Sequence, residues 1–329
     1  MEESSARLGS FQRNGDLGDL LDSLSCALKT ARRPHKSRPD RPSLFIVGAP
    51  RTGSTYCLQW LAASGAFSYP SNFIARFWSA PFIGALVQEM MVNPLFDYRG
   101  ELADIHPDHI RAISDVGKTT GMLSPSEFWF FWRAHFPSDG DLGLDISSAT
   151  QDQFQSFRQE LAHFGDVLGR PAVMKGKIIN HQLMEFASGV PQALFLFMDR
   201  DPVDSVWSLL EARRRIYGSE RRWWSFKTPD YEELKSLDPL EQVVGQVQSI
   251  RRDIQIVLDQ LPSNRWIRVD YADLCADPSR EFSRVSDLFA GHAEQLQGSN
   301  VMPAVSPSKG RVPASARVKI EQLLVRHSA

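Results

Sequence analysis

From Leu44 to Leu58 the chain reads Leu-Phe-Ile-Val-Gly-Ala-Pro-Arg-Thr-Gly-Ser-Thr-Tyr-Cys-Leu, residue types whose order suits the holding of a phosphate. Gly48 and Gly53 let the backbone turn tightly, and the amides that open the helix after Gly53 point at an anion. Arg51 adds a cation inside the loop. A nucleotide triphosphatase would carry G-x-x-x-x-G-K-S/T; the frame from Gly48 to Gly53 fits, but Ser54 stands where a lysine should reach the β/γ-phosphates. Such a loop is built for phosphate and poorly built for moving the terminal phosphoryl group of ATP. A second stretch, Phe195 to Ser208, sets Arg200 at the end of an apolar run and Ser208 eight residues later. Asp201 is placed to cap the next helix, Pro202 suits its first turn, and Asp204 adds a negative charge near its positive end.

Both anchors need strands beneath them. Leu44–Val47, Ala172–Lys175, Ala193–Met198 and Trp266–Val269 are apolar runs separated by segments long enough for crossover helices. The predicted class is therefore α/β, a mostly parallel central sheet flanked by helices, with helical insertions. Ligands bind at the carboxyl ends of such strands, which places Arg51 and Arg200 in one crevice. Residues 1–42 form a separate segment: a disordered start, an amphipathic helix carrying Leu17, Leu20, Leu21, Leu24 and Leu28, and a cationic, proline-rich stretch from Ala31 to Pro42 that reads as an extended linker. Residues 43–329 form the α/β domain, with an excursion around 213–240 that holds three consecutive arginines and the Trp223-Trp224 pair. Aromatic residues crowd the region between the first two strands, including Phe73, Phe77, Trp78, Phe82 and the run Phe128 to Trp132, as core and as material for an acceptor pocket.

Composition sets outer limits. A chain of 329 residues with 42% apolar content buries a substantial core, and a net charge of −2 argues against nucleic-acid binding. Cys26, Cys57 and Cys275 lie too far apart in sequence for a disulfide framework or a metal cluster and fit a reducing cytoplasm, so no metal is expected. The first residues carry no apolar signal segment and no run reaches the length that spans a bilayer, so a cytoplasmic location is expected.

Pro50-Arg51-Thr52-Gly53-Ser54-Thr55 resembles the 5′-phosphosulfate loop of the sulfotransferases that use 3′-phosphoadenosine 5′-phosphosulfate (PAPS), whose pattern is Pro, Lys or Arg, Ser or Thr, Gly, and two Ser or Thr. The second stretch is similar to that family's 3′-phosphate motif, a strand ending in Arg, Asp or Asn, Pro, with a serine eight residues past the arginine. Two motifs in the right order make the resemblance specific from about Leu44 onward. It implies a P-loop-like sulfotransferase fold and transfer of a sulfuryl group from PAPS to a hydroxyl or amine of a small-molecule, lipid or carbohydrate acceptor. It also implies that Arg51, Thr52, Gly53, Ser54 and Thr55 hold the 5′ end, that Arg200 and Ser208 hold the 3′-phosphate, and that Lys175 contacts the leaving oxygen or the sulfuryl group. By the same resemblance Tyr56 falls where relatives stack a tryptophan on adenine, Tyr271 lies near adenosine, and Lys309 and Arg311 in Ser-Lys-Gly-Arg match a late basic loop.

The proton acceptor is not set by the motifs. Cytosolic relatives carry Lys-x-His after the second strand, and here Lys175-Gly176-Lys177 puts a lysine at the histidine position. Other branches place a glutamate some twenty residues after the loop, a stretch that here, Tyr69 to Arg76, has no carboxylate or imidazole. Glu127, in an apolar, aromatic-rich segment where burial is expected to raise its proton affinity, and His181, in Ile-Ile-Asn-His-Gln, are the candidates. A nucleotide kinase with a degenerate loop and a non-catalytic nucleotide-binding protein are the alternative readings. The first would require ATP with magnesium, and neither uses Arg200 and Ser208 for turnover.

Overall fold

A computed structural model describes residues 8, 15–28, 38, 40–101, 113–138, 143–298 and 312–327. In chain order the elements are α1 (Gly15–Leu28), β1 (Ser43–Val47), α2 (Ser54–Ala63), α3 (Pro81–Val92), the short hairpin β2 (Ser114–Asp115) and β3 (Lys118–Thr119), α4 (Trp129–His135) and α5 (Gln151–Val167). Then come β4 (Val173–Lys175), α6 (Leu183–Gly189), β5 (Ala193–Asp199), α7 (Pro202–Tyr217), α8 (Tyr231–Leu234), α9 (Pro239–Gln260), β6 (Trp266–Asp270), α10 (Tyr271–Ala276), α11 (Pro278–Ala290) and α12 (Ala314–Arg326). The main sheet runs β4-β1-β5-β6 and every pairing in it is parallel.

All four predicted strands are present, shifted by no more than a residue at either end. The continuous apolar runs of β1 and β5 follow from burial on both faces, whereas β6 lies at the sheet edge with Arg268 exposed. Phe45, Val47, Phe195 and Phe197 point to one side, into a cluster with Trp132, Phe157, Phe186 and the buried stripe of α9. Leu44, Ile46, Leu194, Leu196 and Met198 point to the other, against Leu58 and Trp60 of α2 and Leu274, Val285 and Phe289 of α10 and α11. Phe45 meets Phe186 edge to face at 5.0 Å, and burying one such ring contributes about 3 kcal/mol.

β1 lies between β4 and β5, so the chain leaves β4 and crosses over β1 before it enters β5. Crevices open at such a reversal, beyond the carboxyl ends of the strands, and the loop that follows β1 sits there. The helix after β5 is built as expected: Asp201 Oδ1 accepts the Val203 amide (2.8 Å), Pro202 occupies the first turn, and Gly218 at φ 67° ends it.

Four expectations outside the sheet need adjustment. The helix of residues 15–28 exists, but Leu20 lies outside its buried stripe and is exposed while Leu21 is buried. The cationic stretch is not wholly extended in solvent, because Arg41 donates to Glu294 Oε1 (3.0 and 2.7 Å) and Arg38 reaches the same buried carboxylate (3.4 Å). The three arginines from Arg213 do not begin an excursion: they complete α7, and the excursion runs from Gly218 to Asp238. Leu8, in the segment expected to be disordered, donates its amide to the Ile216 carbonyl (3.0 Å). Among the described residues no helix is long and apolar enough to cross a membrane.

Candidate active site

The phosphate loop is bent by three residues with left-handed or wider positive φ. Gly48 has φ 149°, and a Cβ there would stand 2.4 Å from the Met198 carbonyl oxygen of β5. Gly53 has φ 90°, and a Cβ would collide with the ring of Tyr271 at 2.3 Å. Between them Arg51, at φ 67°, holds a conformation that side-chain-bearing residues rarely adopt. Thr52 is fully buried and its hydroxyl donates to the Ala49 carbonyl (3.0 Å), so that side chain shapes the loop. Ser54 is likewise buried at the first position of α2.

The two sequence motifs meet. Arg51 Nε donates to Ser208 Oγ (3.0 Å), and Arg200 Nη1 donates to the Arg51 carbonyl (3.3 Å). Arg200 lies 3.6 Å from Asp204 and 4.9 Å above the Tyr271 ring, which meets Tyr56 edge to face at 6.0 Å. Burial, with Arg200 and Arg215 nearby, lowers the proton affinity of Arg51 against the opposing pull of Asp115 and Glu211. Behind it Asp199, at the end of β5, is bound by Arg251 (3.0 and 2.8 Å) and by Arg268, which fixes the strand end that carries Arg200.

At the end of β4, Lys175 Nζ donates to Thr55 Oγ1 (2.8 Å) and to Glu127 Oε1 (2.5 Å), while Glu127 Oε2 accepts the indole N–H of Trp129 (2.7 Å). Two predicted residues, Lys175 and Glu127, thus form one cluster with Thr55 of the loop. The expected electrostatics of Glu127 are reversed. Burial pushes its carboxyl upward, but Lys175, the Trp129 hydrogen bond and the charge of Lys177 outweigh it and hold the carboxyl below the usual carboxylate range. Lys177 Nζ donates to the Ala49 carbonyl (2.8 Å); burial, Lys175 and Arg51 hold its ammonium well below the ordinary lysine range against the raising effect of Glu127.

His181 stands apart from this cluster in its bonding: its Nδ1 pairs with Asp253 Oδ2 of α9 (2.9 Å). Lys309 and Arg311 lie outside the described residues. Sequence reasoning missed three contributors. Asn180 donates to the Gly48 carbonyl (3.0 Å) and accepts from the Gly48 amide (3.4 Å), clamping the start of the loop. Trp129 was grouped with the core aromatics. The tip of the β2–β3 hairpin, Val116 at φ 46° and Gly117 at φ 89°, roofs the cluster, since a Cβ on Gly117 would lie 3.7 Å from Thr55 Oγ1 and 3.8 Å from both Glu127 Oε1 and Lys175 Nζ. Asp115 ties that hairpin to Arg215 of α7 (2.7 Å). The sequence signal there is weak, because Val-Gly is not a favoured hairpin pair.

An edge that gathers Arg51, Arg200, Lys175, Lys177 and the helix-opening amides, with Glu127 as the carboxylate paired to Lys175, is made for a polyanion. Residues 42–291 match the sulfotransferase family, and the chain belongs to it. It is a transferase by that membership. Among solved structures it is similar to sulfotransferase STF9 from Mycobacterium avium, at 14% identity and a TM-score of 0.52, over 95% of this chain and 76% of that one. It is also similar to sulfotransferase STF1 from Mycobacterium tuberculosis H37Rv, at 17% identity and a TM-score of 0.49, over 87% and 71% of the two chains. The STF9 likeness establishes the shared fold. No curated protein matches the sequence.

Proposed function

We propose that the protein transfers a sulfuryl group from PAPS to the hydroxyl or amine of a small-molecule, lipid or carbohydrate acceptor, without a metal. The observation that carries this reading is the convergence of Arg51, Ser208 and Arg200 from two strands on one crevice, with Lys175 and Thr55 beside them. The chain's groups fit the donor: Gly53 lets the loop pass against the Tyr271 ring where a methyl has no room, and Arg51, Arg200, Lys175 and Lys177 stand along the same edge. PAPS, when bound, supplies the sulfuryl group and a phosphate leaving group.

Arg51 and the amides at the start of α2 stabilise negative charge on the leaving phosphate, where it grows in the transition state. Lys175, held by Thr55 and Glu127, is aimed at the same oxygen or at the sulfuryl oxygens. Glu127 accepts the acceptor's proton as sulfur bonds to the acceptor's oxygen or nitrogen and its S–O bond to the phosphate breaks. It is ionised at neutral pH because of Lys175, and a carboxylate holding two hydrogen bonds retains lone pairs for a third. Arg200, Ser208, Tyr271 and Tyr56 hold the 3′-phosphate and the adenosine. A kinase reading is disfavoured by buried Ser54 at the position of the phosphate-reaching lysine.

The test combines binding and turnover. 3′,5′-Adenosine bisphosphate should raise Tm without metal and more than AMP does, and Glu127→Gln should keep that shift while losing about 10²–10⁴-fold in transfer from labelled PAPS across an acceptor panel. Equal shifts with both nucleotides, or stabilisation only by ATP with magnesium, would overturn the reading.

A further inference from the structure

We propose that Trp129 is a positioning residue for the Glu127 carboxylate and that the excursion of residues 218–238 acts on the reaction by holding Trp129 in place. The catalytic meaning of this inference rests on Glu127 being the proton acceptor; the positioning itself does not.

Glu127 and Trp129 are two residues apart, a spacing at which side chains on a helix do not face each other and on a strand share a face but leave the chain about 6–7 Å apart. They meet because Phe128, between them, takes the left-handed conformation at φ 58°, unusual for a bulky residue. Phe128 is held there by burial and by a parallel stack on Phe131, with ring centroids 4.7 Å apart and planes 5° apart. The bend folds the carboxylate back so that Oε2 accepts the indole N–H at 2.7 Å while Oε1 takes Lys175 at 2.5 Å. Strained backbone next to a reacting group is where a functional constraint is expected. Two donors from different elements fix both oxygens, and with them the direction of the remaining lone pairs.

The indole is held in turn. Its ring packs on Phe226, with centroids 5.6 Å apart. Phe226 is buried, and its carbonyl accepts from Gln246 Nε2 (2.9 Å) and Trp223 Nε1 (3.2 Å); the same Gln246 amide reaches the Trp224 carbonyl (3.0 Å). On its other side Gln246 Oε1 accepts from Arg213 Nη2 (3.2 Å), and Gln242 Oε1 accepts from Arg213 Nη1 (2.9 Å). Arg213 is fully buried, and the hydrogen-bond acceptors around its guanidinium are amide and peptide oxygens. A buried cation is tolerated only when such acceptors are fixed around it, so Arg213 makes the path of the excursion specific. The chain of contacts runs from Arg213 to Gln246, to Phe226, to Trp129 and to the carboxylate.

The charged groups that face Glu127 are Lys175 at the end of β4 and Lys177 on the turn after it. Both remain in every variant below. In the full-length chain labelled with carboxyl-¹³C glutamate, the Glu127 signal is assigned by its loss in Glu127→Gln, and its titration is followed by NMR. Trp129→Phe keeps the ring against Phe226 and removes the N–H that favours the ionised form. The midpoint should rise by about half a unit to one unit, a roughly 3- to 10-fold change in acid constant, the size of one hydrogen bond. Phe226→Ala should move it in the same direction by less, and Phe226→Leu should restore it. Binding of 3′,5′-adenosine bisphosphate should not change in any of the three. A Glu127 midpoint unaltered in folded Trp129→Phe overturns the positioning role, and one unaltered in Phe226→Ala overturns the role of the excursion. If Trp129→Phe does not fold, Phe226→Ala decides both. Failure of the wild-type chain to bind the bisphosphate would count against the proposed function while leaving the titration result standing.

Discussion

Replacing Gly53 by alanine puts a methyl on a backbone at φ 90°, 2.3 Å from Tyr271 Cδ2 and 2.7 Å from Cε2. Two costs combine. The left-handed backbone alone costs an alanine about 1 kcal/mol. Restoring ordinary contact requires the Tyr271 ring to retreat by about 1 Å. Overpacking of that kind adds about 1–3 kcal/mol, for a total of about 2–4 kcal/mol. Gly65 separates the terms: it has φ 71° with nothing within 4 Å of a built Cβ, so Gly65→Ala carries the backbone cost alone. Urea denaturation of both variants measures the difference directly. A double-mutant cycle with Tyr271→Ala isolates the contact, and the methyl should be better tolerated once the ring is gone, with a coupling of about 1–3 kcal/mol. Because Arg200 lies on Tyr271, the displaced ring should also weaken 3′,5′-adenosine bisphosphate binding in Gly53→Ala and leave it intact in Gly65→Ala. Equal destabilisation by the two substitutions, an additive cycle and unchanged binding would together refute the fit of loop to ring.

Arg200→Ala removes a cation from the far end of the donor and should weaken bisphosphate binding by about 10-fold or more with little added loss in kcat, whereas Arg51→Ala should lower kcat as well, because charge grows on the leaving phosphate beside it; normal turnover by Arg51→Ala would contradict the loop assignment. Lys177→Met should raise Tm of the unliganded protein by a few degrees and weaken the donor analogue, since it removes an ammonium that burial, Lys175 and Arg51 disfavour. The folded-state proton affinity of Lys177 is lowered, so the unfolded chain holds that proton more tightly; the penalty is complete below the folded value and fades as pH rises toward the ordinary lysine range. The advantage of Lys177→Met in thermal scans should therefore shrink with rising pH, and a lower Tm at neutral pH would contradict the crowding.

The sheet was legible because its signal is local. A strand covered on both faces needs an unbroken apolar run, and Leu44–Val47 and Ala193–Met198 supply it without ambiguity. The donor motifs were legible for a related reason, since each is set by spacing within one strand–loop–helix unit. Placing Arg51 and Arg200 at the carboxyl edge of a parallel sheet puts them in one crevice, and there Arg51 also bonds Ser208, 157 residues away and on the helix that follows Arg200. The limits of α7 were less legible. Three arginines in a row suggest exposure, but Arg213 falls on the inward face of a helix that Gly218 ends, and two glutamines of α9 supply its acceptors.

The proton-transfer side of the site was less legible because its parts are joined only by tertiary contact. Glu127 could be picked out as an acid among aromatics, yet the sign of its shift depended on Lys175, which lies 48 residues away in sequence. Burial alone argues for a raised carboxyl; a salt bridge at 2.5 Å argues the other way and wins, because the ammonium and the indole each favour the ionised form directly. His181, the other proton-acceptor candidate, is bonded elsewhere for the same reason in reverse: Asp253 of α9 takes its Nδ1. For the proposed reaction, proton affinity and position pull against each other at Glu127. Lys175 makes it a weaker base and at the same time fixes it beside the phosphate loop through Thr55. In the proposed reaction, a donor bearing several negative charges would draw Lys175 toward itself, loosen its hold on Glu127, and so strengthen the base when there is a sulfuryl group to transfer.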